Sequence, residues 1–358
     1  MLTTDLDYDL PPDRIATEPA EPRDAARLMV VWRGTDRVQH TTIEQLPRLT
    51  GAVGRDDLMV FNRTKVLPAH FSGTRTATGG KVGGLYVGSP DGDHCLVLLE
   101  ARGTLQVGEQ LALEEGSHFE LIEPRGAGQW LVRRHSGLDT VALLNCVGTT
   151  PLPPYIRKQR RARGLAEVRP QDASRYNTVF ADQSGSVAAP TAALHFTPRV
   201  LDELDAAGVR RAMLTLHIGL GTFAPIRSES VEKHAIHEEW ISIPATTVEA
   251  LRQARDRGGR VVPVGTTCVR ALESLPHPPP PGEEHSRQTN LFIHPGEQPF
   301  PFRFTDALLT NFHLPRSTLL ALVAALPGVG LDRLKHWYQI AIEDGYRFYS
   351  YGDAMFIV

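Results

Sequence analysis

The sequence predicts an α/β main domain, a sheet with helices on both faces, with an antiparallel β-barrel domain inserted into it. Two observations indicate this architecture. Short apolar runs typical of buried strands open the chain, and after residue 195 they alternate with helical patterns. From about residue 68 to 148, short strand-like runs alternate with glycine and aspartate turns instead. We therefore expect a discontinuous α/β domain, residues 1–68 plus 150–358, and an inserted β-barrel domain, residues 69–149.

The elements of the main domain are predicted from apolar periodicity and helix caps. Thr197 and Pro198 supply an N-cap and a first helical residue, and Gly208 ends that helix. Four consecutive prolines, 278–281, predict a surface loop, because proline disrupts helices and central strands. The predicted strands are 28–32, 58–61, 211–216 and 260–264, the helices are 199–207, 244–257, 316–326 and 331–344, and the loop is 275–286.

The inserted domain is predicted from evenly spaced short strands with almost no helical period. Its turn signals are rich in glycine, aspartate and serine, as at 90–93 and 115–117. Such spacing is typical of a small barrel or sandwich. The predicted strands are 82–87, 95–99, 110–113, 119–122 and 130–133.

Composition excludes several classes of protein. Hydrophobic residues make up 41% and charged residues 22% of the 358 residues, as in ordinary globular proteins. The three cysteines, Cys95, Cys146 and Cys268, are widely spaced, which excludes a disulfide scaffold and a CxxC metal or redox site. No apolar run approaches the length of a membrane helix, and the first residues lack a secretory signal. We expect a cytoplasmic protein with no membrane partner.

The charge of the chain does not by itself indicate a nucleic-acid partner. The net charge is −3, so any surface that binds RNA needs a local concentration of positive charge. Residues 157–163 carry five cations in seven positions. This run is consistent with a solvated basic loop or with a surface that contacts phosphates.

Several segments are rich in the small and polar residues that line ligand sites. In the segment 185–197, small residues would let the backbone approach a ligand, and a helix N-terminus follows. Gly219 and Gly221 predict a tight turn after a strand, but the missing third glycine argues against a dinucleotide fingerprint. Further segments of this kind are 309–318 and 349–355.

Two other segments leave alternatives open. His234 and His237 with nearby carboxylates lack the spacing of an HExxH zinc site, so hydrogen-bonding or acid–base roles are favoured over a metal. Thr266 and Thr267 begin a predicted helix and could simply cap it. Arg270, one turn later, is positioned to meet a phosphate or a carboxylate at that helix end.

Taken together, these segments resemble the S-adenosylmethionine:tRNA ribosyltransferase-isomerase family of queuosine biosynthesis. The resemblance covers essentially the whole chain in order, beginning with LDYDLP at 6–11 and continuing through PLPPYI at 151–156 and RYNTVF at 175–180. The most specific matches are SVAAPTA-x-LHFT at 186–197, TLHxGLGTF at 215–223, GTT-x-VRALE at 265–273, TNFHLP-x-STLL at 310–320 and YRFxSYGDAM at 346–355.

The resemblance implies a two-domain architecture and a reaction. The ribosyl part of S-adenosylmethionine would be transferred and isomerised onto 7-aminomethyl-7-deazaguanine at the wobble position of a tRNA with a GUN anticodon. The products would be epoxyqueuosine-tRNA, adenine and methionine. No metal and no cofactor is expected, because S-adenosylmethionine is itself a co-substrate, and the enzyme is expected to be a monomer.

This chemistry suggests roles for particular residues. A base must remove a ribose 5′ proton next to the sulfonium, and a general acid must assist the departure of adenine. Histidine suits both transfers, because its charge changes near neutral pH. The catalytic candidates are His217 and His313, followed by His195, His237 and Asp353. The substrate-binding candidates are Asn62, Thr64, Pro190, Thr191, Gly219, Gly221, Thr222, Thr266, Thr267, Arg270, Asn311 and Tyr351. The RNA-binding candidates are Arg157, Lys158, Arg160, Arg161 and Arg163.

The chain departs from the family pattern at a few positions. Arg63 stands where the family commonly has an acid, and Gly83 where it has a glutamate; we expect both near the domain junction. Ala193 and Cys268 are smaller changes. The first two motivate an alternative, a non-catalytic or substrate-shifted RNA-binding paralogue of the same fold. A methyltransferase is a further alternative, but the chain lacks the glycine-rich loop expected of one.

Overall fold

The structure, a computed structural model, describes residues 1–114, 116–219, 221 and 225–358. Its strands are, in chain order, β1 Arg27–Trp32, β2 Arg37–Thr42, β3 Leu58–Asn62, β4 Thr64–Val66, β5 His70–Arg75, β6 Lys81–Gly88, β7 His94–Ala101, β8 Gln110–Ala112, β9 His118–Gly126, β10 Gln129–His135, β11 Gly148–Thr149, β12 Gln183–Ser186, β13 Arg210–Leu216, β14 Glu239–Ile243, β15 Val261–Pro263, β16 His285–Thr289, β17 Leu308–Asn311 and β18 Ala354–Ile357. Its α-helices are α1 Thr140–Val147, α2 Pro154–Ala162, α3 Asp172–Arg175, α4 Pro198–Ala206, α5 Ala245–Asp256, α6 Thr266–Glu273, α7 Thr318–Ala324 and α8 Leu331–Glu343. Short 3-10 helices lie at Thr3–Leu6, Pro12–Arg14, Arg23–Ala25, Ile43–Arg48, Thr191–His195 and Val231–Lys233.

A five-stranded mixed sheet in the order β15-β3-β13-β14-β16 forms one half of the main domain. Strands β15, β3 and β13 are parallel, and β14 and β16 pair antiparallel. Every residue of β3 is buried, because both faces of the sheet are covered there. On one face Leu58 and Val60 join a cluster with Val248 of α5, and on the other Met59 joins a cluster with Val200 of α4. The predicted α/β sheet with helices on both faces is confirmed.

A second, four-stranded sheet has the order β17-β18-β1-β2. The last strand of the chain, β18, pairs in parallel with β1, and the other pairings are antiparallel. Met29 and Ile357 of this sheet share a buried cluster with Leu322 of α7 and Trp337 of α8. The two ends of the chain are therefore joined through one sheet.

Strands from both sheets end at a common edge. Strands β3, β13 and β15 run in parallel, and Val264, directly after β15, forms a parallel bridge with Leu309 of β17. The N–H group of Gly265 also donates to the Leu309 carbonyl at 2.7 Å. The carboxyl ends of parallel strands are the usual ligand-binding edge of α/β sheets. The polar residues that end or follow these four strands are Asn62, His217, Thr266 and Asn311.

The inserted antiparallel barrel is also confirmed. Strands β5, β6, β7, β10, β9 and β8 pair in that order, and β8 pairs back with β5 to close the barrel. All of these pairings are antiparallel. Buried Phe71, Val97, Phe119 and Val132 contribute to its core. The division of the chain into domains at 68/69 and 149/150 stays a prediction.

The predicted elements of the main domain agree closely with the structure. The four predicted strands and helices α4, α5 and α8 begin and end within one residue of the expected positions. Helix α7 is shorter than the predicted span 316–326, because Ser317 caps it and its hydroxyl accepts from the N–H of Leu320. Strand β16 begins at His285, so the last two residues of the predicted loop 275–286 belong to a strand.

Three elements described in the inserted region were not predicted: α1, β5 and the two-residue strand β11. Helix α1 lies where almost no helical period was expected; Asp139 caps it by accepting from the N–H of Ala142 at 2.8 Å. Its eight residues make about two turns, too few for a clear periodicity. Strand β5 carries Ser72 and Gly73, which weaken its strand signal. No helix in the described part of the chain is long and apolar enough to cross a membrane.

Candidate active site

A cleft at the common strand edge brings together six of the predicted site residues. We call it the strand-end cleft and define it by Thr191, Thr266, Thr267, Asn311 and His313, all of which line it. It holds about 370 Å³ of space, part of it open to solvent. A hollow of about 330 Å³ adjoins it and shares Thr191, Asn311 and His313. The lining also includes Pro190, Gly265 and Ile218.

Asn311 organises the floor of the strand-end cleft. Its side-chain oxygen accepts from the Thr191 hydroxyl at 2.8 Å, so its nitrogen faces the Nε2 atom of His195 at 3.2 Å and the carbonyl of Asp353 at 3.3 Å. Because an amide nitrogen only donates, His195 accepts at Nε2 and carries its proton on Nδ1. Burial lowers the pKa of His195 to about 4, so the ring is neutral at physiological pH.

His313 is fixed at several points but keeps one ring nitrogen available. Its N–H donates to the Tyr338 hydroxyl at 2.9 Å, its carbonyl accepts from the Tyr8 hydroxyl, and Nε2 lies 2.9 Å from the Thr310 hydroxyl. Nδ1 has no hydrogen-bond partner among the described residues. Burial lowers the pKa of His313 to about 3, so this ring is also neutral.

His217 does not line the strand-end cleft, although its neighbour Ile218 does. Its Nδ1 atom is 2.8 Å from the Thr64 hydroxyl, and its ring stacks on Trp240 with 5.2 Å between ring centroids and 20° between planes. Ile218 is held by the Ser186 hydroxyl, which accepts its N–H at 2.7 Å. Burial lowers the pKa of His217 as well, and its Nε2 atom has no hydrogen-bond partner within the described ranges.

Asn62, a predicted substrate ligand, instead links the end of β3 to β4, to the end of β13 and to the start of α6. Its oxygen accepts from the N–H groups of Thr64 at 3.0 Å and Leu216 at 3.2 Å. Its nitrogen donates to the Leu216 carbonyl at 2.9 Å and, more weakly, to the Thr267 hydroxyl at 3.4 Å. Because these bonds use its polar atoms inside a fully buried environment, we reassign Asn62 as a structural residue.

Arg270 meets a carboxylate of the protein itself. Its Nη1 group pairs with buried Glu239, and Nε donates to the Leu291 carbonyl at 3.1 Å. The other oxygen of Glu239 accepts from the N–H of Gly219 at 2.9 Å, so this ion pair anchors the turn after β13. The Nη2 atom of Arg270 is buried without a hydrogen-bond partner. Of the two alternatives for Arg270, a phosphate or a carboxylate, the structure supplies the second.

Three other predicted residues lie away from the cleft or in fixed positions. Asp353 accepts from the N–H groups of Arg27 at 3.2 Å and Arg347 at 2.8 Å and pairs with the Arg347 guanidinium, so its carboxylate is already engaged. Tyr351 is buried in an apolar cluster, and its hydroxyl has no partner. His237 is exposed. The Asp353 carboxylate is therefore engaged by the protein itself, and the roles expected of Asp353 and Tyr351 stay predictions.

The glycine turn after β13 is only partly described. A Cβ atom at Gly221 would lie 2.3 Å from the ring of the exposed His237, so glycine lets this ring pack closely against the turn. Thr222, a predicted substrate ligand, lies outside the described residues. The turn itself therefore adds no observation on ligand binding.

The basic run 157–163 forms most of helix α2 rather than a loop. Arg160 is buried; its guanidinium holds Asp172 at 2.6 and 2.9 Å and donates to the Thr17 carbonyl. Because its donors are used inside the protein, we remove it from the RNA-binding set. Arg157 and Arg161 both pair with Glu167. Within the described ranges, the remaining candidates, Lys158 and Arg163, have no carboxylate partner.

Sequence reasoning missed three residues of the site. Trp240 stacks on His217, Glu239 holds Gly219, and Gly185 packs against the His217 ring. No local pattern marks them, because each acquires its role through contact with a residue distant in sequence. A glycine in strand β12 was the one available signal, since glycine in a strand often marks a close approach.

A larger groove lies apart from the strand-end cleft. It encloses about 1060 Å³ of space, part of it solvent, and runs between β4, the end of α1 and the segment before α3. Lys65 and Arg169 are its charged lining residues. None of the catalytic candidates lines it. In the described part of the chain, no group of three His, Cys, Asp or Glu side chains is arranged to hold a metal ion.

Comparisons with known proteins show which sequences and structures this chain is similar to. Residues 3–357 match the model of a family described as "Queuosine biosynthesis protein". The chain is 44% identical to the S-adenosylmethionine:tRNA ribosyltransferase-isomerase of Rubrobacter xylanophilus, over 100% of this chain and 98% of the relative. It is 41% identical to that of Desulfitobacterium hafniense, with both chains covered in full. A crystal structure of S-adenosylmethionine tRNA ribosyltransferase from Thermotoga maritima is 32% identical, covers 99% of this chain and 100% of its own, and superposes with a TM-score of 0.55.

Proposed function

The chain belongs to the queuosine biosynthesis family of S-adenosylmethionine:tRNA ribosyltransferase-isomerases and is a transferase, and on that premise we propose its reaction in detail. The ribosyl part of S-adenosylmethionine is transferred to 7-aminomethyl-7-deazaguanine at the wobble position of a tRNA with a GUN anticodon, and is isomerised there. The products are epoxyqueuosine-tRNA, adenine and methionine. S-adenosylmethionine is a co-substrate, and no metal or further cofactor takes part.

One observation carries this proposal: two neutral histidines lie just after strands β13 and β17, each held through one ring nitrogen. His217 is held by Thr64, and His313 by Thr310. A neutral imidazole has one nitrogen that donates and one that accepts, so each ring can serve one proton transfer or hydrogen bond to the substrate. The proposed reaction has two such requirements, one at the ribose 5′ carbon and one at the departing adenine.

We assign His217 to the ribose and His313 to the adenine. The open Nε2 of His217 would accept the 5′ proton, which the adjacent sulfonium makes acidic. His313 lines the strand-end cleft together with Thr266 and Thr267 at the start of α6. The threonine side chains at the start of α6 offer polar partners to a base, and a fixed His313 would contact adenine as it leaves. His195 then acts through Asn311, as a group that positions the cleft floor.

The tRNA would enter from the side of the large groove. Lys65 of β4 lines this groove, and the preceding residue, Thr64, contacts His217. Lys158 of α2 and Arg163, which follows the helix, have no carboxylate partner within the described ranges and would contact phosphates. A tRNA substrate is consistent with the cytoplasmic location that we expect. We further propose that the protein acts as a monomer.

The reaction is tested by product analysis. The purified protein is incubated with S-adenosylmethionine and tRNA that carries the aminomethyl-deazaguanine, and the mixture is analysed by mass spectrometry. Adenine, methionine and epoxyqueuosine in the RNA are expected. Release of S-adenosylhomocysteine would indicate a methyltransferase instead. Binding of the tRNA without release of adenine would favour the paralogue hypothesis and direct attention to Arg63, which contacts Thr215 at 3.4 Å.

A further inference from the structure

The imidazole ring of His217 is constrained on several sides. Its Nδ1 atom lies 2.8 Å from the Thr64 hydroxyl, and Trp240 stacks on the ring. A Cβ atom placed on Gly185 would lie 2.6 Å from both Cε1 and Nε2 and 2.8 Å from Cδ2. Nearly equal distances to these three atoms put that position over the ring face, so only a glycine lets the backbone pack there. The in-plane direction of Nε2 carries no hydrogen bond from the described residues.

Thr64 is itself held in place. The residue is fully buried, and its N–H donates to the side-chain oxygen of Asn62 at 3.0 Å. Its hydroxyl has two neighbours: Nδ1 of His217 at 2.8 Å and the carbonyl of Gln183 at 3.5 Å. A carbonyl oxygen can only accept, so the long contact to Gln183 is a hydrogen bond when the hydroxyl proton points that way. The hydroxyl oxygen then accepts the Nδ1 proton of His217.

We propose that Thr64 is a positioning residue that fixes the tautomer of His217, with the proton on Nδ1 and the lone pair on Nε2. This inference rests on the proposed function, in which Nε2 accepts the ribose 5′ proton. In that step the C5′–H bond breaks, its electron pair stays on the carbon next to the sulfonium, and the proton forms an N–H bond at Nε2. With the opposite tautomer, Nε2 would carry a proton already and could not accept another.

A pair of substitutions separates the hydroxyl from the packing of Thr64. Thr64→Val keeps the volume and removes the hydroxyl, and we expect kcat to fall on the order of 100-fold, as when a general base is misplaced. The KM for each substrate should change by no more than about twofold, because the hydroxyl contacts His217 and not the substrate. Thr64→Ser, which keeps the hydroxyl, should restore most of kcat.

Thr215 offers a matched control. It is as deeply buried as Thr64, but its hydroxyl is 3.4 Å from Nε of Arg63 and makes no bond to His217. Thr215→Val therefore makes the same chemical change next to the site, and kcat should stay near that of the unsubstituted protein. If Thr64→Val and Thr215→Val lower kcat equally, the positioning role of Thr64 is overturned.

The tautomer can be measured without any turnover. Nitrogen-15 NMR of the full chain distinguishes a protonated from an unprotonated ring nitrogen, and the His217 signals are assigned by their loss in His217→Gln. We expect a protonated Nδ1 in the unsubstituted protein and in Thr64→Ser, and a shift toward protonated Nε2 in Thr64→Val. A protonated Nε2 in the unsubstituted protein would overturn the inference. If NMR shows the expected tautomers but the protein releases no adenine, the inference about Thr64 stands and the proposed function is contradicted.

Discussion

The polar groups of the strand-end cleft and those of helix α2 differ in how many of their hydrogen-bonding atoms are already bonded to the protein. Around the cleft, Asn311, Thr310 and Thr64 bind one ring nitrogen of each histidine and leave His217 and His313 each with a nitrogen open. In the basic run 157–163, Asp172 and Glu167 neutralise three of the five cations. The histidine rings of the cleft are therefore held in place and, among the described residues, still have a free nitrogen. Most of the cations of the helix, in contrast, are paired with carboxylates of the protein.

The comparison shows that a polar side chain is available for chemistry only if its neighbours leave it so. Burial of a polar atom costs free energy unless the atom finds a hydrogen-bond partner. Most buried polar groups are therefore bonded to other groups of the protein. Asp353, Asn62 and Arg160 are examples, since their polar atoms bond to the protein itself. The open nitrogens of His217 and His313 are exceptions to this pattern.

The largest expected effect is loss of turnover when the open nitrogen of His217 is removed. His217→Phe keeps an aromatic ring next to Trp240 but has no proton acceptor, so kcat should fall by about 10²–10⁴-fold. The measurement is adenine release under saturating substrates, with circular dichroism to check the fold. Activity close to that of the unsubstituted protein would mean that the cleft does not use this histidine.

A second prediction concerns the stability contributed by helix α2. Asp172→Ala leaves Arg160 as an uncompensated buried charge, and the free energy of unfolding should fall by about 3–5 kcal/mol. The control is Glu167→Ala, which removes the partner of the more exposed Arg157 and Arg161 and should cost less than about 1 kcal/mol. Urea unfolding of both variants tests the difference. Equal losses would show that the buried pair is no more important than the surface pairs.

A third prediction follows from the neutral histidines of the cleft. Burial lowers the pKa of His195 to about 4 and that of His313 to about 3. The unfolded chain binds protons at these sites below pH of about 6.5, while the folded chain does not until the lower values are reached. Each contribution to stability is therefore complete above about pH 6.5 and is lost as the pH falls, with a slope of up to about 1.4 kcal/mol per pH unit per histidine.

This pH dependence is measured most directly by NMR. The ring signals of His195 and His313 should stay those of neutral imidazole from pH 8 down to pH of about 5.5. Acid unfolding of His195→Asn provides a comparison, because the carboxylates common to both proteins cancel in the difference. A ring that titrates near pH of about 6.5 would show that the cleft floor is more open than the structure indicates.

The smallest predicted effect is on tRNA affinity. The double variant Lys158→Ser/Arg163→Ser should reduce the slope of log affinity against log salt by roughly 1.4, which is two phosphate contacts on a single-stranded loop. Arg161→Ser should change the slope less, because Glu167 already neutralises that cation. Binding is measured by fluorescence anisotropy at several salt concentrations. Identical slopes for all proteins would remove α2 from the RNA surface.

Local sequence was sufficient for about half of the described strands and for helices α4 to α8. The apolar run of β3 and the Thr197-Pro198 start of α4 are strong short-range signals, and the structure places both elements within one residue of the prediction. Helix α1 was missed because two turns carry little periodicity. The family and the order of the site segments could also be predicted from the sequence, because the family motifs occur in order along the whole chain.

The sequence by itself determined the fold class, the family and the residues that gather at the strand edge, because each depends on short-range patterns or on the order of motifs. The tertiary structure alone decided which polar groups remain available. His217 keeps an open nitrogen because Thr64 takes the other one, whereas Arg160 has none left because Asp172 and Thr17 use them. Partners 12 to more than 140 residues apart make these contacts, and no local pattern encodes them.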